Sequence, residues 1–232
     1  MIYSFSLWFL RCFLLPFWVP VLQGRSRIPV TGPLILVSNH PTVLDGLLLG
    51  SVLPRSIRFL VSVEPLKIPV VGWWLRALGF IPVGKGTGAM DRVLEALRNG
   101  DCVGFYPEAE PTHTYELQPF HKGVALVAQW SGAPVIPVST YGSEALCPAD
   151  CRSVGGGHVW ITFGEPLYWQ QGESTEEFLE RIRQAIRQPL LVPPAPLPPP
   201  RGLSHWLTRS VWTPFSWLLL KLGDWARPGG KR

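Results

Sequence analysis

Short apolar runs alternate with segments of helical periodicity through the middle of the chain. Runs rich in Val, Ile and Leu predict buried strands, whereas apolar residues that recur every three or four positions predict helices packed against them. The predicted strands are 34–38, 57–61, 79–83, 102–106, 135–139 and 159–163, and the predicted helices are 43–52, 69–78, 89–99, 123–130 and 175–188. This alternation predicts an α/β fold with a central, mostly parallel sheet flanked by helices.

The two ends of the chain have a different pattern, which predicts contact with a membrane surface. Residues 1–22 are strongly apolar but are interrupted by Arg11, Pro16 and Pro20, so they lack the run of about 20 apolar residues that spans a bilayer. We expect them to lie in the membrane interface, with a tilted span and core packing as alternatives. In residues 203–225, Trp and Leu recur at helical spacing near Lys and Arg, which predicts a second interfacial helix. A helix packed back on the domain is the alternative there.

The predicted organisation therefore has four parts. Residues 1–27 form N-terminal membrane-interface helices, residues 28–188 form the main folded domain, residues 189–202 form a Pro-rich linker, and residues 203–232 form a C-terminal amphipathic membrane-interface helix. The linker is predicted to be extended because proline fixes φ and removes a backbone hydrogen-bond donor.

Composition and charge favour a membrane surface as the partner. Hydrophobic residues make up 47% of the 232 residues and charged residues only 16%, whereas an average soluble protein has about 25% charged residues. The net charge of +5 is spread along the chain without a nucleic-acid-binding motif, so nucleic acid is not an expected partner. The four cysteines lack metal-site spacing and predict free thiols in a reducing compartment. We expect a metal-free, membrane-associated protein on the cytoplasmic face, monotopic or peripheral.

Candidate chemistry lies between the first core strand and the first core helix, where His40, Pro41 and Asp45 occur in one short stretch. Pro41 favours an extended His40 followed by a helix start, so Asp45 in the first helical turn can fold back towards the imidazole. A carboxylate on one imidazole nitrogen fixes the tautomer and leaves the other nitrogen as a base. The alternative interpretation is a helix cap formed by Thr42 and Asp45, with His40 as an ordinary polar turn residue.

Four motifs in order resemble those of the glycerolipid acyltransferase family, which includes the lysophosphatidic-acid acyltransferases. The resemblance covers residues 28–167, and a Pro-Phe-x-Lys-Gly sequence between the third and fourth motifs adds to it. The motifs are Asn39-His40-x4-Asp45, Gly79-x5-Lys85, Tyr106-Pro107-Glu108 and Val135-Ile-Pro-Val138.

The resemblance implies that residues 28–188 form an acyltransferase catalytic domain. Such a domain transfers a fatty acyl group from acyl-CoA or acyl carrier protein to a hydroxyl of a lysophospholipid-like acceptor, so membrane lipids and the acyl donor are the implied partners and no cofactor is needed. His40 and Asp45 are then catalytic. The implied substrate-binding residues are Asn39, Lys85, Tyr106, Pro107, Glu108 and Lys122. Trp73 and Trp74 can floor an acyl pocket, pack in the core or face a membrane.

Two departures from the family pattern concern the acceptor head group. Lys85 stands where the family usually has arginine, and residues 109–112 read Ala-Glu-Pro-Thr where the family has Gly-Thr-Arg-Ser. The second change removes a cation and adds the carboxylate of Glu110 beside the expected phosphate. Lys85, Lys122, Arg58 or His121 can compensate. An acceptor without phosphate and a non-catalytic lipid-binding relative therefore remain alternatives.

Overall fold

The computed structural model describes residues 6, 8, 18–42, 44–108, 116–146, 157–192 and 194. The strands in this part of the chain are β1 (Trp18–Gln23), β2 (Leu34–Ser38), β3 (Ile57–Ser62), β4 (Ile81–Val83), β5 (Cys102–Phe105), β6 (Val135–Tyr141) and β7 (Gly157–Phe163). The helices are α1 (Asp45–Val52), α2 (Val63–Leu66), α3 (Pro69–Ala77), α4 (Ala89–Arg98), α5 (Gly123–Ser131), α6 (Ser143–Leu146) and α7 (Thr175–Leu191), with a 3-10 turn at Arg25–Arg27.

The strands form one mostly parallel sheet in the order β1-β7-β6-β2-β5-β3-β4. The five strands from β6 to β4 run in the same direction, whereas β7 is antiparallel to β6 and β1 is parallel to β7. Because the five parallel strands end at one edge, the turns that follow β2, β5 and β4 all lie along that edge. Binding sites in open α/β sheets gather at such an edge.

Buried side chains cover both faces of the sheet. In β2, Leu34 and Leu36 belong to the hydrophobic cluster on one face, and Ile35 and Val37 belong to the cluster on the other, as the two-residue period of a strand requires. Helix α1 contributes to the first cluster, and helices α4, α5 and α7 contribute to the second. The predicted α/β fold is therefore confirmed, with helices on both faces.

The predicted start of the folded domain at residue 28 is wrong. Residues 18–23, assigned from the sequence to a membrane-interface helix, form β1 and pair with β7, and Trp18 is 2% exposed. Pro20 is compatible with this strand because β1 lies at the edge of the sheet, where one side of the strand needs no donor. The apolar side chains of this segment are therefore explained by its place in the sheet and by packing against the core.

The predicted start of the Pro-rich linker at residue 189 is also too early. Helix α7 continues through Pro189 to Leu191, and Leu190 is buried in the core. A proline in the last turn removes one helical hydrogen bond, which the packing of Leu190 offsets. At the other end of α7 a capping box begins the helix, because Ser174 Oγ accepts from the Glu177 N–H at 3.2 Å and the Glu177 carboxylate accepts from the Ser174 N–H at 2.8 Å.

Most of the predicted interfacial segments lie outside the described residues, including all of 203–232 and 9–17. Within the described residues, no helix is both long and apolar enough to cross a bilayer. Residues 6 and 8 are helical, and Ser6 Oγ accepts a hydrogen bond from Trp74 Nε1 at 2.9 Å. Cys102 is a buried free thiol whose pKa is raised to about 12 by burial, and the other three cysteines lie outside the described residues.

Candidate active site

His40 and Asp45 meet in the turn between β2 and α1. His40 Nδ1 lies 3.2 Å from Asp45 Oδ2, the Asp45 side chain is fully buried, and the His40 side chain is 14% exposed. The predicted geometry is thus confirmed: the turn holds His40, and the first residue of α1 supplies the carboxylate. With Nδ1–H donating to Asp45, the other ring nitrogen, Nε2, keeps its lone pair and has no partner in the described part of the chain.

Asp45 also closes the turn itself. Its carboxylate accepts the Thr42 backbone N–H at 2.6 Å and lies 3.4 Å from the Thr42 hydroxyl. The alternative interpretation of these residues as a helix cap is therefore compatible with the His40 contact, because one buried carboxylate serves both. A carboxylate at a helix N-terminus is further favoured by the unpaired N–H groups there.

Asn39 joins the turn to the neighbouring strand β6. Its Nδ2 donates to the Thr140 carbonyl at 2.9 Å, and its Oδ1 accepts from the Thr140 N–H at 2.8 Å. Asn39 is 2% exposed, and its amide extends the β2–β6 pairing by one step. The resemblance places Asn39 among the substrate-binding residues, whereas in this structure both ends of its amide are committed to backbone that supports the turn.

Glu108, in the turn after β5, supports the same turn around His40. Its Oε1 accepts the backbone N–H of His40 at 3.3 Å, and its Oε2 accepts the backbone N–H of Gln118 at 2.9 Å. The carbonyl of the adjacent Pro107 accepts the His121 N–H at 2.9 Å. The acidic residue of the third motif, expected to contact substrate, is 7% exposed and links three separate stretches of chain around His40.

Tyr106 completes the arrangement with an aromatic contact. Its ring stacks on the imidazole of His40, with centroids 4.0 Å apart and planes at 18°. Burial, with the Asp45 carboxylate as a smaller cause, raises the pKa of the Tyr106 hydroxyl well above its ordinary value. The motif residues that follow β2 and β5 thus form one cluster around His40.

The cations proposed from the sequence lie in three different places. Lys85 is exposed in the turn after β4 and has no ion-pair partner among the described residues. Lys122, at the start of α5, forms an ion pair with Glu176. Both positions are on the edge of the sheet that carries His40, and among the described residues neither side chain forms a hydrogen bond or ion pair with the cluster described above.

Arg58 lies at the opposite edge. It stands near the start of β3, and its Nε donates to Asp101 Oδ2 at 2.8 Å beside the start of β5. The suggestion that Arg58 compensates for a missing phosphate ligand is therefore wrong, because the length of the strands separates it from His40.

Sequence reasoning missed three groups that shape this site: Thr140, Gln118 and Phe59. The first two act through their backbone, which carries no residue-type signal, and Phe59 stacks on Tyr106 with centroids 5.5 Å apart. Residues 109–112, where the chain departs from the family pattern, lie outside the described residues. Among the described residues, no group of three or more His, Cys, Asp or Glu can hold a metal ion.

Comparisons with known proteins identify the family of this chain. The sequence profile of the family described as Acyltransferase matches residues 20–141. The chain is 28% identical over 180 residues to the chloroplastic 1-acyl-sn-glycerol-3-phosphate acyltransferase BAT2 of Brassica napus, an alignment that covers 75% of this chain and 51% of that protein. It is 25% identical over 164 residues to a Saccharomyces cerevisiae 1-acyl-sn-glycerol-3-phosphate acyltransferase, covering 66% and 54%. The chain thus spans about half the length of these curated relatives.

A solved structure is also similar. The crystal structure of the 1-acyl-sn-glycerophosphate (LPA) acyltransferase PlsC from Thermotoga maritima superposes with a TM-score of 0.71 at 26% sequence identity. The match covers 82% of this chain and 77% of that chain, so the resemblance extends beyond the four motifs to the sheet and its flanking helices.

Proposed function

The chain belongs to the acyltransferase family, and we propose that it transfers a fatty acyl group from a thioester, acyl-CoA or acyl carrier protein, to a hydroxyl of a 1-acylglycerol-3-phosphate-like lipid. The observation that carries this proposal is the contact between His40 Nδ1 and the fully buried carboxylate of Asp45. The family of the relatives supports the reaction class, and their names support the phosphate-bearing acceptor.

The proposed mechanism needs one base and no covalent enzyme intermediate. His40 Nε2 removes the proton from the acceptor hydroxyl as that oxygen attacks the thioester carbonyl. Asp45 stabilises the imidazolium through the Nδ1–H. When the tetrahedral intermediate collapses, the C–S bond breaks. The leaving sulfur takes the proton from the His40 imidazolium, which returns to its neutral form. The products are an ester and a free thiol, so atoms and charge balance.

The direct test is an acyl-transfer assay with the purified full chain. Labelled acyl-CoA and acyl carrier protein are each offered with lysolipids that differ in whether the head group carries phosphate. Ester formation that is lost in His40→Ala, with the variant folded by circular dichroism, is the expected result. Binding of lysolipid without transfer to any acceptor would contradict the enzyme proposal and favour the lipid-binding alternative.

We further propose that the edge bearing His40 faces a lipid surface. Val70 and Trp73 are 76% and 59% exposed on α3, which begins after the carboxyl end of β3. Trp8 is 58% exposed and lies two residues from Ser6, which accepts a hydrogen bond from Trp74 of the same helix. Tryptophan and aliphatic side chains exposed together favour the membrane interface. Of the interpretations weighed for Trp73, membrane contact is the one that its exposure favours.

A matched pair of variants tests this orientation. Val30 is 66% exposed but precedes β2, at the opposite edge of the sheet from Val70. Val70→Asp should weaken co-sedimentation with anionic phosphatidylglycerol vesicles several-fold, because it places a carboxylate in the proposed contact. Val30→Asp should leave sedimentation unchanged, and equal effects of the two variants would contradict the proposed orientation.

A further inference from the structure

The ring of Tyr106 covers one face of the His40 imidazole. The centroids are 4.0 Å apart and the planes differ by 18°, which is a stacked arrangement. The backbone of His40 is held separately by Glu108, and its Nδ1 is held by Asp45. Rotation of the imidazole about its bond to Cβ would break the Nδ1 contact, and the Tyr106 ring stands against that rotation.

The stack is built on the sheet and continues to Phe59, whose ring lies 5.5 Å from that of Tyr106 with planes at 10°. Phe59 on β3 pairs in register with Gly104 on β5, and a Cβ at Gly104 would lie 2.5 Å from the Phe59 ring. Gly104 therefore leaves the space that Phe59 occupies. Since both strands are paired on both sides, the support behind Tyr106 is rigid.

The hydroxyl of Tyr106 does not explain this placement. The oxygen is buried and has no hydrogen-bond partner in the part of the chain that the structure describes. A buried hydroxyl without a partner costs stability, so the contacts of the aromatic ring must stabilise the side chain in this position. Burial also keeps the hydroxyl protonated by raising its pKa, and a group without solvent access is poorly placed to touch a substrate.

We propose that Tyr106 is a positioning residue that acts through its ring, by holding the imidazole of His40 in line with Asp45 and by favouring the imidazolium that forms during transfer. The proposal rests on the proposed role of His40 as the base. It differs from the substrate-binding role that the family resemblance implies for Tyr106. An aromatic face favours an adjacent cation, and misalignment of a base by a fraction of an ångström lowers the rate.

Two variants separate the ring from the hydroxyl. Tyr106→Phe keeps the ring and removes the unpaired hydroxyl, so it should retain kcat and unfold at the same or a higher urea concentration. Tyr106→Leu removes the aromatic face, so kcat should fall by roughly 10- to 100-fold while KM for the lipid acceptor stays within about twofold.

The pH profile gives a readout that a purely structural role would not move. Among the described residues, the ionisable groups that contact His40 are Asp45, Glu108 and Tyr106, and the Leu variant changes only the last of them. Without the π face the imidazolium is less stable, so the rise of kcat/KM with pH should move a few tenths of a pH unit lower in Tyr106→Leu. The Phe variant should keep the wild-type profile.

Nuclear magnetic resonance of the folded protein tests whether the two rings stack, and it needs no activity assay. The His40 ring protons, assigned by their absence in His40→Ala, should be shifted upfield by the Tyr106 ring current in wild type and Tyr106→Phe. Unshifted His40 resonances in wild type would overturn the proposal, even if Tyr106→Leu does not fold. So would an equal loss of kcat in Phe and Leu variants, or a rise in KM with kcat unchanged. A wild-type chain that transfers no acyl group would overturn the proposed function and leave the ring-current result standing.

Discussion

The turn that holds His40 and the edge that carries Lys85 and Lys122 are built in opposite ways. Around His40, the side chains of Asn39, Asp45 and Glu108 are buried and each is hydrogen-bonded to the backbone. Lys85 is exposed in a turn without an ion-pair partner among the described residues, and the Lys122 side chain is 68% exposed. Under the proposed function the difference separates two tasks, because a base must be held in one orientation whereas exposed cations can adjust to a charged head group.

The largest expected effect comes from removing the base. His40→Ala should lower kcat/KM by about 10²–10⁴-fold, the usual contribution of general-base catalysis, and Asp45→Asn should be nearly as harmful because a neutral amide stabilises the imidazolium poorly. His158→Ala, on β7 away from the cluster, is the matched control and should retain activity. Wild-type turnover by a folded His40→Ala protein would rule out the mechanism.

The sequence predicts the contact between His40 and Asp45 better than the hydrogen bonds that support the turn around them. The order of apolar runs locates β2 and α1, and Pro41 between them explains how His40 and Asp45 meet. The supports of the turn escape prediction because they join residues far apart in the chain: Asn39 binds backbone 101 positions away, and Glu108 binds backbone 68 positions away. Their side chains bind backbone groups, so no complementary residue marks the partner position.

Strand β1 and Arg58 illustrate two further limits. An apolar segment reads the same whether it meets lipid or the edge of a sheet, so the place of residues 18–23 depends on their pairing with β7. A cation near a motif in the sequence can lie at either edge of the sheet. Arg58 lies near the start of its strand and Lys85 follows the end of one, which distinguishes them once strand direction is known.

The supports can be tested apart from the chemistry. Asn39→Ala leaves the buried N–H and carbonyl of Thr140 without their partners, so the free energy of unfolding should fall by about 1–3 kcal/mol. Asn99→Ala, at the exposed end of α4, should change it by less than about 0.5 kcal/mol. Urea denaturation measures both free energies. If Asn39→Ala lowers the free energy of unfolding no more than Asn99→Ala does, the hydrogen bonds of Asn39 do not hold the turn around His40 rigidly.

The next test concerns head-group recognition and uses the loop after Glu108. Replacing Ala109-Glu110-Pro111 with Gly-Thr-Arg removes a carboxylate and restores a forked donor for phosphate. We expect the ratio of kcat/KM for phosphate-bearing over phosphate-free acceptors to rise by about tenfold, equivalent to about 1.4 kcal/mol. The ratio is the proper measure because absolute rates also report damage to the loop. An unchanged ratio, with wild type already favouring the phosphate acceptor strongly, would mean that another cation binds the phosphate.

The smallest expected effect concerns that other cation, for which Lys85 is the candidate. Its turn follows β4, three strands from β2 along the edge, which corresponds to roughly 14 Å. A lysine side chain and a glycerol phosphate head group together can bridge such a distance. The preference for phosphate-bearing acceptors should therefore fall in Lys85→Ala, by about fivefold, because an exposed ion pair contributes about 1 kcal/mol or less.

Arg58→Ala is the matched control, since it removes a cation from the opposite edge of the same half of the sheet. It should leave the acceptor ratio unchanged and reduce stability only slightly, because its pair with Asp101 is partly exposed to solvent. Raising the salt concentration should shrink the Lys85 effect, since screening weakens exposed charges more than buried ones. If both substitutions lower the ratio equally, the effect is one of overall charge. The proposal that the edge with Lys85 recognises the head group would then be wrong.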